Sequence, residues 1–237
     1  MLYKQPRPAE VLTAHGRPTQ DALPRRFTVC IWNWQKCKQK SWTEDFQKIS
    51  AAADLFLAQE VHRTDKVQTV MDAAPYYWTG AVSFFSLKDN SPIGVATGCT
   101  AKPAQVAFSA AQREPILRMP KMTLATLVPL QHSKHSLLVI NVHAINFTGL
   151  KTFEKNLRCA AELLLGFNGP VLLGGDFNSW SSKRRRLLQC TAKTAGLSEV
   201  AFEPDARTRF WGRPVDYLFV RGLKVLAAGV RVTDASD

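Results

Sequence analysis

The chain has 237 residues, of which 46% are hydrophobic and 21% charged, a composition typical of a globular protein with a large core. Its net charge of +12 favours anionic partners, namely nucleic acid, anionic lipid or phosphorylated small molecules. The alternative is a basic surface that contacts only solvent. No apolar stretch reaches the ~18–20 residues of a membrane span, so we expect no stable membrane insertion.

The five cysteines are odd in number and include no Cys-x-x-Cys pair. This pattern is typical of reduced thiols that pack in the interior of a cytoplasmic protein, and it argues against a zinc site. The first 26 residues lack the apolar region of a secretory signal. We therefore predict a cytoplasmic protein, with a monomer as the plain expectation.

The first part of the chain predicts an N-terminal arm followed by a folded domain. Residues 1–26 contain four prolines and no clear period, which predicts an extended arm. From Phe27 the pattern becomes regular, and the apolar runs Phe27–Trp32 and Leu55–Ala58 predict buried strands. Between them, Ser41-x-x-Glu44 is a capping-box pattern that predicts the start of a helix.

The rest of the chain predicts a β-rich middle followed by alternating helices and strands. Turn signals separate short predicted strands at about 77–86, 94–99, 104–109, 121–130 and 136–142. A helix carrying Phe153, Leu157 and Leu164 then precedes a strand at Val171–Gly174, and Ser182 is predicted to cap a basic helix. Two last strands are predicted near 214–220 and 224–232. The pattern predicts an α/β fold of two sheets packed face to face with helices outside.

Five segments, far apart in the chain, each place polar residues at the end of an apolar strand. These polar residues are Asn33, Gln59-Glu60, His143, Asp176 with Asn178, and Asp216. Polar groups placed repeatedly at strand ends are expected to converge on one site. Carboxylates, amides and an imidazole together suit a Mg²⁺-assisted attack of water on a phosphate ester.

Each residue type has a chemical reason to be in such a site. Asp176 can orient or deprotonate a water, and Asn178 can donate its amide to a phosphoryl oxygen. Glu60 offers a hard oxygen ligand for Mg²⁺, and Asn33 can lie beside that metal. His143 can bind a non-bridging phosphate oxygen. Taken singly, each has an ordinary alternative: an Asx turn, a solvated carboxylate or a structural histidine.

In their order along the chain, these residues and the terminal Ser236-Asp237 resemble the endonuclease/exonuclease/phosphatase superfamily of metal-dependent phosphoesterases. The resemblance covers about residues 27–237. The segments Arg113–Arg118, Asn141–Phe147 and Gly175–Ser181 look like a bacterial subgroup of unassigned substrate. The resemblance implies a four-layer α/β/β/α sandwich, with the site at one edge of the two sheets.

The resemblance also implies a cofactor and a role for each residue. The cofactor would be Mg²⁺, with Mn²⁺ as an alternative. Glu60 would be the principal metal ligand, and Asn33 and Asp237 would complete the metal environment. Asp176 would align the attacking water, while Asn178 and His143 would hold the phosphate. The remaining residue, Asp216, would orient a catalytic histidine.

The chain departs from the family pattern at its end. The family reads Ser-Asp-His, whereas the printed sequence stops at Asp237, and the strand that follows the histidine is also missing. We expect the chain as given to fold but to be impaired in hydrolysis, because removing a general acid or base costs about 10²–10⁴-fold in rate.

Basic and aromatic residues near the motifs bear on the substrate. Lys183, Arg184 and Arg185 follow the Asp176 motif and either contact nucleic-acid phosphates or form the solvated face of a helix. Arg213 adds to a basic rim. The tryptophans nearest to the motif residues are Trp34, Trp180 and Trp211. Each of them either stacks on a base or sugar of the substrate or packs in the core.

The leading prediction is a Mg²⁺-dependent phosphodiesterase that acts on DNA or RNA. A second prediction keeps this chemistry but changes the substrate to a phospholipid head group or a small phosphate ester. A third is a non-catalytic polyanion-binding protein on the same scaffold.

Overall fold

A computed structural model describes residues 3–113, 120–233 and 235 of the chain. Two β-sheets pack face to face and carry helices on their outer faces, which confirms the predicted four-layer α/β/β/α sandwich. Across these residues, no helix is both long enough and apolar enough to cross a bilayer. All five cysteines are free thiols.

The first half of the chain builds a five-stranded sheet. Its strands are β1 (Leu12–Gly16), β2 (Val29–Asn33), β3 (Leu55–His62), β4 (Tyr77–Phe85) and β5 (Pro92–Cys99). Its helices are α1 (Pro8–Val11), α2 (Trp42–Ser50) and α3 (Asp65–Asp72). The strands lie in the order β1-β4-β5-β3-β2, and the neighbours β2 and β3 run parallel.

The second half builds a six-stranded sheet and a small hairpin. The strands are β6 (Gln105–Arg113), β7 (Pro120–Pro129), β8 (Ser136–His143), β9 (Val171–Asp176), β10 (Ser198–Glu199), β11 (Arg209–Phe210), β12 (Arg213–Pro214) and β13 (Asp216–Arg221). The helices are α4 (Leu150–Glu162) and α5 (Ser182–Thr194). The sheet order is β10-β13-β9-β8-β7-β6, with β8 and β9 parallel, while β11 and β12 form the separate hairpin.

Each sheet therefore contains one βαβ unit. In the first, α2 connects the parallel strands β2 and β3, and in the second, α4 connects β8 and β9. The carboxyl ends of parallel neighbours lie at the same edge of a sheet, which is where open α/β sheets bind ligands. This topology places Asn33 with the end of β3, and His143 with Asp176.

The core follows from the two-residue period of the strands. On β3, Leu55 and Leu57 belong to the cluster between the sheets, whereas Phe56 and Ala58 belong to the cluster under α2 and α3. On β8, Leu137–Ile140 alternates in the same way between the inner cluster and the cluster under α4 and α5. Each fully buried side chain of this kind stabilises the fold by about 1.5–3 kcal/mol.

The N-terminal residues differ from the sequence prediction, which placed no regular element in 1–26. The short helix α1 leads into β1, which pairs antiparallel with β4 and forms the edge of the first sheet. Gln20 and Leu23 form further bridges to Ala101 and Leu130. These pairings join residues distant in the chain, so no local period in 1–26 indicates them.

Three further local predictions differ from the structure in part or in full. The helix predicted from Ser41-x-x-Glu44 is present as α2 and begins at Trp42, but the Ser41 side chain makes no capping hydrogen bond, so the capping box itself is absent. The residue that caps α5 is Ser181, whose side chain accepts from the Arg184 backbone N–H, rather than Ser182. Residues 224–232, which were predicted to form the last strand, form no strand.

Candidate active site

The predicted site residues that the structure describes meet at one edge of the sandwich, between the two sheets. His143 Nε2 lies 3.7 Å from Glu60 Oε1 and 3.8 Å from Asp176 Oδ2. Asn33 Nδ2 donates to Asp176 Oδ2 at 3.1 Å. The side chains therefore converge from both βαβ units, although they are far apart in the sequence. Asp237, the third predicted metal ligand, and Ser236 lie outside the described residues.

A β-bulge turns Glu60 towards this edge. The pairing of β3 with β5 shifts between Ala58 and Val61, and Glu60 has a φ of +51°, in the left-handed region. An extra residue in one strand bends it and re-aims a side chain. Left-handed backbone at a residue other than glycine costs about 1–3 kcal/mol and is common at functional sites. The bulge thus allows the carboxylate to face the site while its neighbours stay in the sheet.

Two glycines precede Asp176, and the structure gives a packing reason for each of them. Gly175 has a φ of +139°, and a Cβ on it would lie 2.0 Å from the Val142 carbonyl oxygen. A Cβ on Gly174 would lie 2.5 Å from Ile31 Cδ1 of the other sheet. The glycines therefore let β9 pack against β8 and β2, and this places Asp176.

Two hydrogen bonds fix the Asp176 carboxylate, which is 6% exposed. Its Oδ2 accepts from Asn33, and its Oδ1 accepts from the Asn178 backbone N–H at 2.8 Å. The second bond forms the Asx turn that the sequence analysis gave as the alternative reading of this motif. The Asn178 amide also donates to the Ala144 carbonyl at 3.0 Å. Asn178 therefore has a structural role, and its position beside Asp176 also places it in the site.

Below the site, a buried polar contact links the two sheets. Gln59 Nε2 donates to Asn141 Oδ1 at 2.7 Å, and Asn141 Nδ2 donates to the carbonyls of Ala58 and Ala96. Both side chains have zero exposure. Gln59 was predicted to converge on the site with the other strand-end residues, but it lies between the sheets below the site, and no role was predicted for Asn141. A buried group left without its partner costs roughly 1–3 kcal/mol, so this contact holds the sheets in register under the site.

The electrostatic environment keeps His143 neutral. Burial lowers its pKa well below the ordinary value, and the positive charges of Lys121 and Lys36 lower the pKa further. Lys121 is the residue that sequence reasoning missed: its ammonium lies 2.9 Å from His143 Nε2 and 3.7 Å from Glu60 Oε1. The sequence signal for Lys121 is its position at the start of a predicted strand, and many lysines share such a position, so this signal does not select one residue.

Asp216 is placed at the same edge by strand pairing. It begins β13, and its register partner on β9 is Asp176. The Arg207 guanidinium donates to the Asp216 carbonyl at 2.9 Å and to both carboxylate oxygens of Asp205. Asp216 is half-buried and lines a cavity of about 430 Å³ that lies between β2 and β13. Asn33 lines the same cavity, which therefore borders the site on one side.

The donor set is suited to a hard divalent cation. Glu60 and Asp176 provide carboxylate oxygens, a ligand type that Mg²⁺ prefers. Asn33 also carries an amide oxygen, but this oxygen accepts from the Gln35 backbone N–H at 3.1 Å, and the atom of Asn33 that faces Asp176 is Nδ2. Within 3–113, 120–233 and 235, no group of three or more His, Cys, Asp and Glu side chains has the spacing of a metal site. The carboxylates therefore fit Mg²⁺ by their chemistry, but the described residues supply only part of a complete set of metal ligands.

The basic residues predicted to bind substrate separate into two groups. Lys183 and Arg185 are exposed on α5, and Arg213 is half-buried with its guanidinium donating to Ser182 Oγ at 2.8 Å. Arg184 differs, because it is only 2% exposed and donates to backbone carbonyls and to the Thr148 hydroxyl. This placement argues against direct contact of Arg184 with a phosphate and makes it a support of the loops beside the site.

The tryptophans also separate. Trp34 is 1% exposed within an aromatic core, so stacking on a substrate is excluded for it. Trp180 instead belongs to a cluster that we call the aromatic rim: Phe147, Trp180, Phe210 and Trp211. Phe147 is 58% and Trp211 67% exposed. The rim residues lie on segments that follow His143, follow Asp176 and precede Asp216, so the rim borders the site.

Known proteins are similar to this chain in sequence and in fold. Residues 33–237 match the profile described as Endonuclease/Exonuclease/phosphatase family. A UPF0294 protein of Yersinia pseudotuberculosis is 38% identical over 225 residues, which covers 94% of this chain and 85% of the relative.

Two solved structures have the same fold at low sequence identity. The human Nocturnin catalytic domain with a bound sulfate anion has a TM-score of 0.61 at 15% identity, covering 86% of this chain and 87% of that one. The Neisseria 3′ phosphatase NExo, bound to a product DNA hairpin, has a TM-score of 0.55 at 16% identity, covering 83% and 87%.

The polar strand ends, the sandwich and these matches agree, and the chain is a member of the endonuclease/exonuclease/phosphatase family.

Proposed function

We propose that the protein is a Mg²⁺-dependent phosphodiester hydrolase that acts on nucleic acid. The observation that carries this proposal is the convergence of three side chains at one edge of a phosphoesterase fold. The carboxylates of Glu60 and Asp176 each lie within 4 Å of His143 Nε2. Family membership supports hydrolysis of a phosphate ester as the chemistry. The metal and the substrate class are the parts that remain proposals.

The residues have separate roles in this proposal. Glu60 and Asn33, with Asp237, would hold Mg²⁺, which when bound supplies Lewis-acid stabilisation of charge on a phosphoryl oxygen. Asp176 aligns the attacking water, and its two hydrogen bonds fix the direction in which it accepts the proton. His143 is neutral because it is buried, and its Nε2 lies 2.9 Å from the Lys121 ammonium, from which it accepts. We propose that His143 holds a non-bridging oxygen in the tautomer that carries the ring proton on Nε2.

The remaining polar residues support these groups. Asn178 follows Asp176 by two residues, and its amide donates to the Ala144 carbonyl at 3.0 Å. We propose that the second N–H of this amide donates to the phosphoryl oxygen as negative charge builds there. Asp216 is proposed to orient a histidine, as the family pattern implies. Mn²⁺ has the same preference for oxygen ligands and is proposed as a substitute metal.

The surroundings of the site support nucleic acid as the substrate. Exposed rings of Phe147 and Trp211 offer faces on which bases stack, worth about 1–3 kcal/mol per base. Exposed Lys183 and Arg185, with Arg213, lie on segments next to the rim and can bind neighbouring phosphates. The net charge of +12 has the sign that a polyanion requires. The NExo structure shows that this fold accommodates DNA in a relative.

A hydrolysis screen tests the proposal. The chain as given and a version that carries a histidine and a further strand after Asp237 would both be assayed with single-stranded DNA, RNA, phospholipid vesicles and a bis-aryl phosphate, in Mg²⁺ and in EDTA; the extended version is expected to be the more active. We expect Mg²⁺-dependent cleavage of the oligonucleotides, and Asp176→Asn should lower the rate by about 10²–10⁴-fold because it removes the group that aligns water. Activity that survives Asp176→Asn, or that persists in EDTA, contradicts the proposal.

The same screen separates the alternatives. Cleavage of vesicles or of the aryl ester without cleavage of oligonucleotides would assign the lipid or small-ester substrate. Oligonucleotide binding that weakens steeply between about 50 and 200 mM salt, without cleavage, would assign a polyanion-binding protein. We also propose a monomeric, cytoplasmic protein, and sedimentation of the pure chain tests the first of these.

A further inference from the structure

Lys121 is a positively charged side chain placed inside the site. It lies near the start of β7 in the second sheet, and its side chain is only 12% exposed. Its ammonium is 2.9 Å from His143 Nε2 and 3.7 Å from Glu60 Oε1. The ammonium therefore reaches from the second sheet to a carboxylate of the first, at the edge where the two sheets meet.

The burial of this lysine needs a physical reason. An ammonium taken out of water costs several kcal/mol unless an opposite charge compensates it. Glu60 supplies that charge, and Asp176 brings a second carboxylate to His143. Two carboxylates also repel an incoming phosphate diester, which is itself an anion. A cation between them lowers that repulsion, in the way that lysine clamps stabilise transferring phosphoryl groups elsewhere.

We propose that Lys121 is a phosphate-binding residue of this site, an inference that rests on the proposed function. Its ammonium donates to a non-bridging oxygen of the bound phosphate ester. Without substrate it is the counter-ion of Glu60. The two positions require only a rotation of the flexible lysine stem, because the phosphate is to be bound by the same edge that holds His143.

This role makes two predictions of opposite sign. Removing the ammonium should weaken binding of phosphate and lower kcat/KM by about 10²–10³-fold, the effect of removing one donor to a developing oxyanion. The same change removes a positive charge 3.7 Å from Glu60 and should tighten Mg²⁺ binding by roughly 3- to 10-fold. If Lys121 had a merely structural role, its replacement would weaken the binding of both phosphate and Mg²⁺.

The experiment compares three variants of the whole chain with a matched control. Lys121→Met removes the charge, Lys121→Gln removes the charge but keeps a polar group, and Lys121→Arg keeps the charge. The control is Lys134→Met, because Lys134 is an exposed residue in the turn at the other end of the β7–β8 hairpin. That turn lies ~30 Å from the site, at ~3.4 Å per residue along β7.

The readouts are calorimetric affinities for Mg²⁺ alone and for inorganic phosphate, kcat and KM on a bis-aryl phosphate, and thermal unfolding. We expect Lys121→Met to tighten Mg²⁺, weaken phosphate and slow hydrolysis, with Lys121→Arg close to wild type and Lys134→Met unchanged. If Lys121→Met does not fold, Lys121→Gln takes its place. Affinities for Mg²⁺ and phosphate that both stay within about 2-fold would overturn the proposal. Absence of hydrolysis by the version extended past Asp237 would refute the proposed function, while the two binding measurements on the chain as given would still decide on Lys121.

Discussion

The two βαβ units deliver their polar side chains to the site in different ways. In the second unit, His143 and Asp176 are register partners, so both strand ends bring a site residue directly. In the first unit, the register partner of Asn33 is Gln59, which is fully buried between the sheets. Glu60 reaches the site only because the strand bulges after Gln59. A shared topology therefore fixes the edge, while local backbone geometry decides which side chain faces it.

The difference has a consequence for stability and function. In the first unit, the left-handed backbone conformation of Glu60 places a carboxylate in the site. In the second unit, Gly175 has no side chain and so lets the strands β8 and β9 approach each other. Strain at the first is expected to matter for activity, and close packing at the second for folding. Three changes test this separation.

The largest effect is expected from Glu60→Gln in the first unit. The change keeps the shape of the side chain but removes the charge that would hold Mg²⁺, so we expect kcat/KM to fall by about 10³-fold and the Mg²⁺ requirement to rise. Unfolding temperature should change little. The measurement is activity against Mg²⁺ concentration, with exposed Glu44→Gln as control. An unchanged Mg²⁺ dependence would remove Glu60 from the metal site.

The second change is Gly175→Ala in the second unit. Its Cβ would meet the Val142 carbonyl at 2.0 Å, and the φ of +139° disfavours any side chain, so we expect a loss of about 2–3 kcal/mol in the free energy of unfolding. Urea denaturation measures it. Gly229→Ala is the matched control, because a Cβ there meets nothing within 4 Å. Equal stability of the two variants would show that strand packing does not require Gly175.

The smallest effect concerns the ion pair that supports Asp216. The hydrogen bond from Arg207 lowers the pKa of Asp205 from 3.8 to about 2. Because the folded pKa lies below the unfolded value, the pair's contribution to stability is full above pH 3.8 and is lost as pH falls towards 2. NMR titration of the carboxyl measures this pKa. In Arg207→Met the pKa should return towards 3.8, and a pKa that stays near 2 would show another cause.

Much of the fold follows from local patterns. The apolar runs Leu55–Ala58 and Leu137–Ile140 predict buried strands, and the helical spacing of Phe153, Leu157 and Leu164 predicts α4. The strand β1 escaped prediction because its existence depends on pairing with β4 rather than on its own sequence. Residues 224–232 show the opposite error: they were predicted to form a strand, but a local apolar pattern does not supply a pairing partner.

The candidate site shows the same division. Asn33, Glu60, His143 and Asp176 were identified because each ends an apolar strand, a signal that survives without coordinates. Arg184 was expected at the surface with its neighbours, yet it is buried under Phe153 and Trp180, where its guanidinium contacts both rings. A run of consecutive basic residues on a helix places at least one of them on the face that packs against the protein. The sequence does not show which of these side chains will have enough carbonyl and hydroxyl groups nearby to accept its hydrogen bonds.

The amino-acid sequence by itself determined the strands, their polar ends and the order of the motifs, because these depend on residue type and on short periods along the chain. The tertiary structure alone decided that Glu60 turns into the site, that Trp34 packs in the core and that Lys121 lies beside His143. Those placements depend on contacts between segments that are distant in sequence, where packing and charge compensation outweigh local preference.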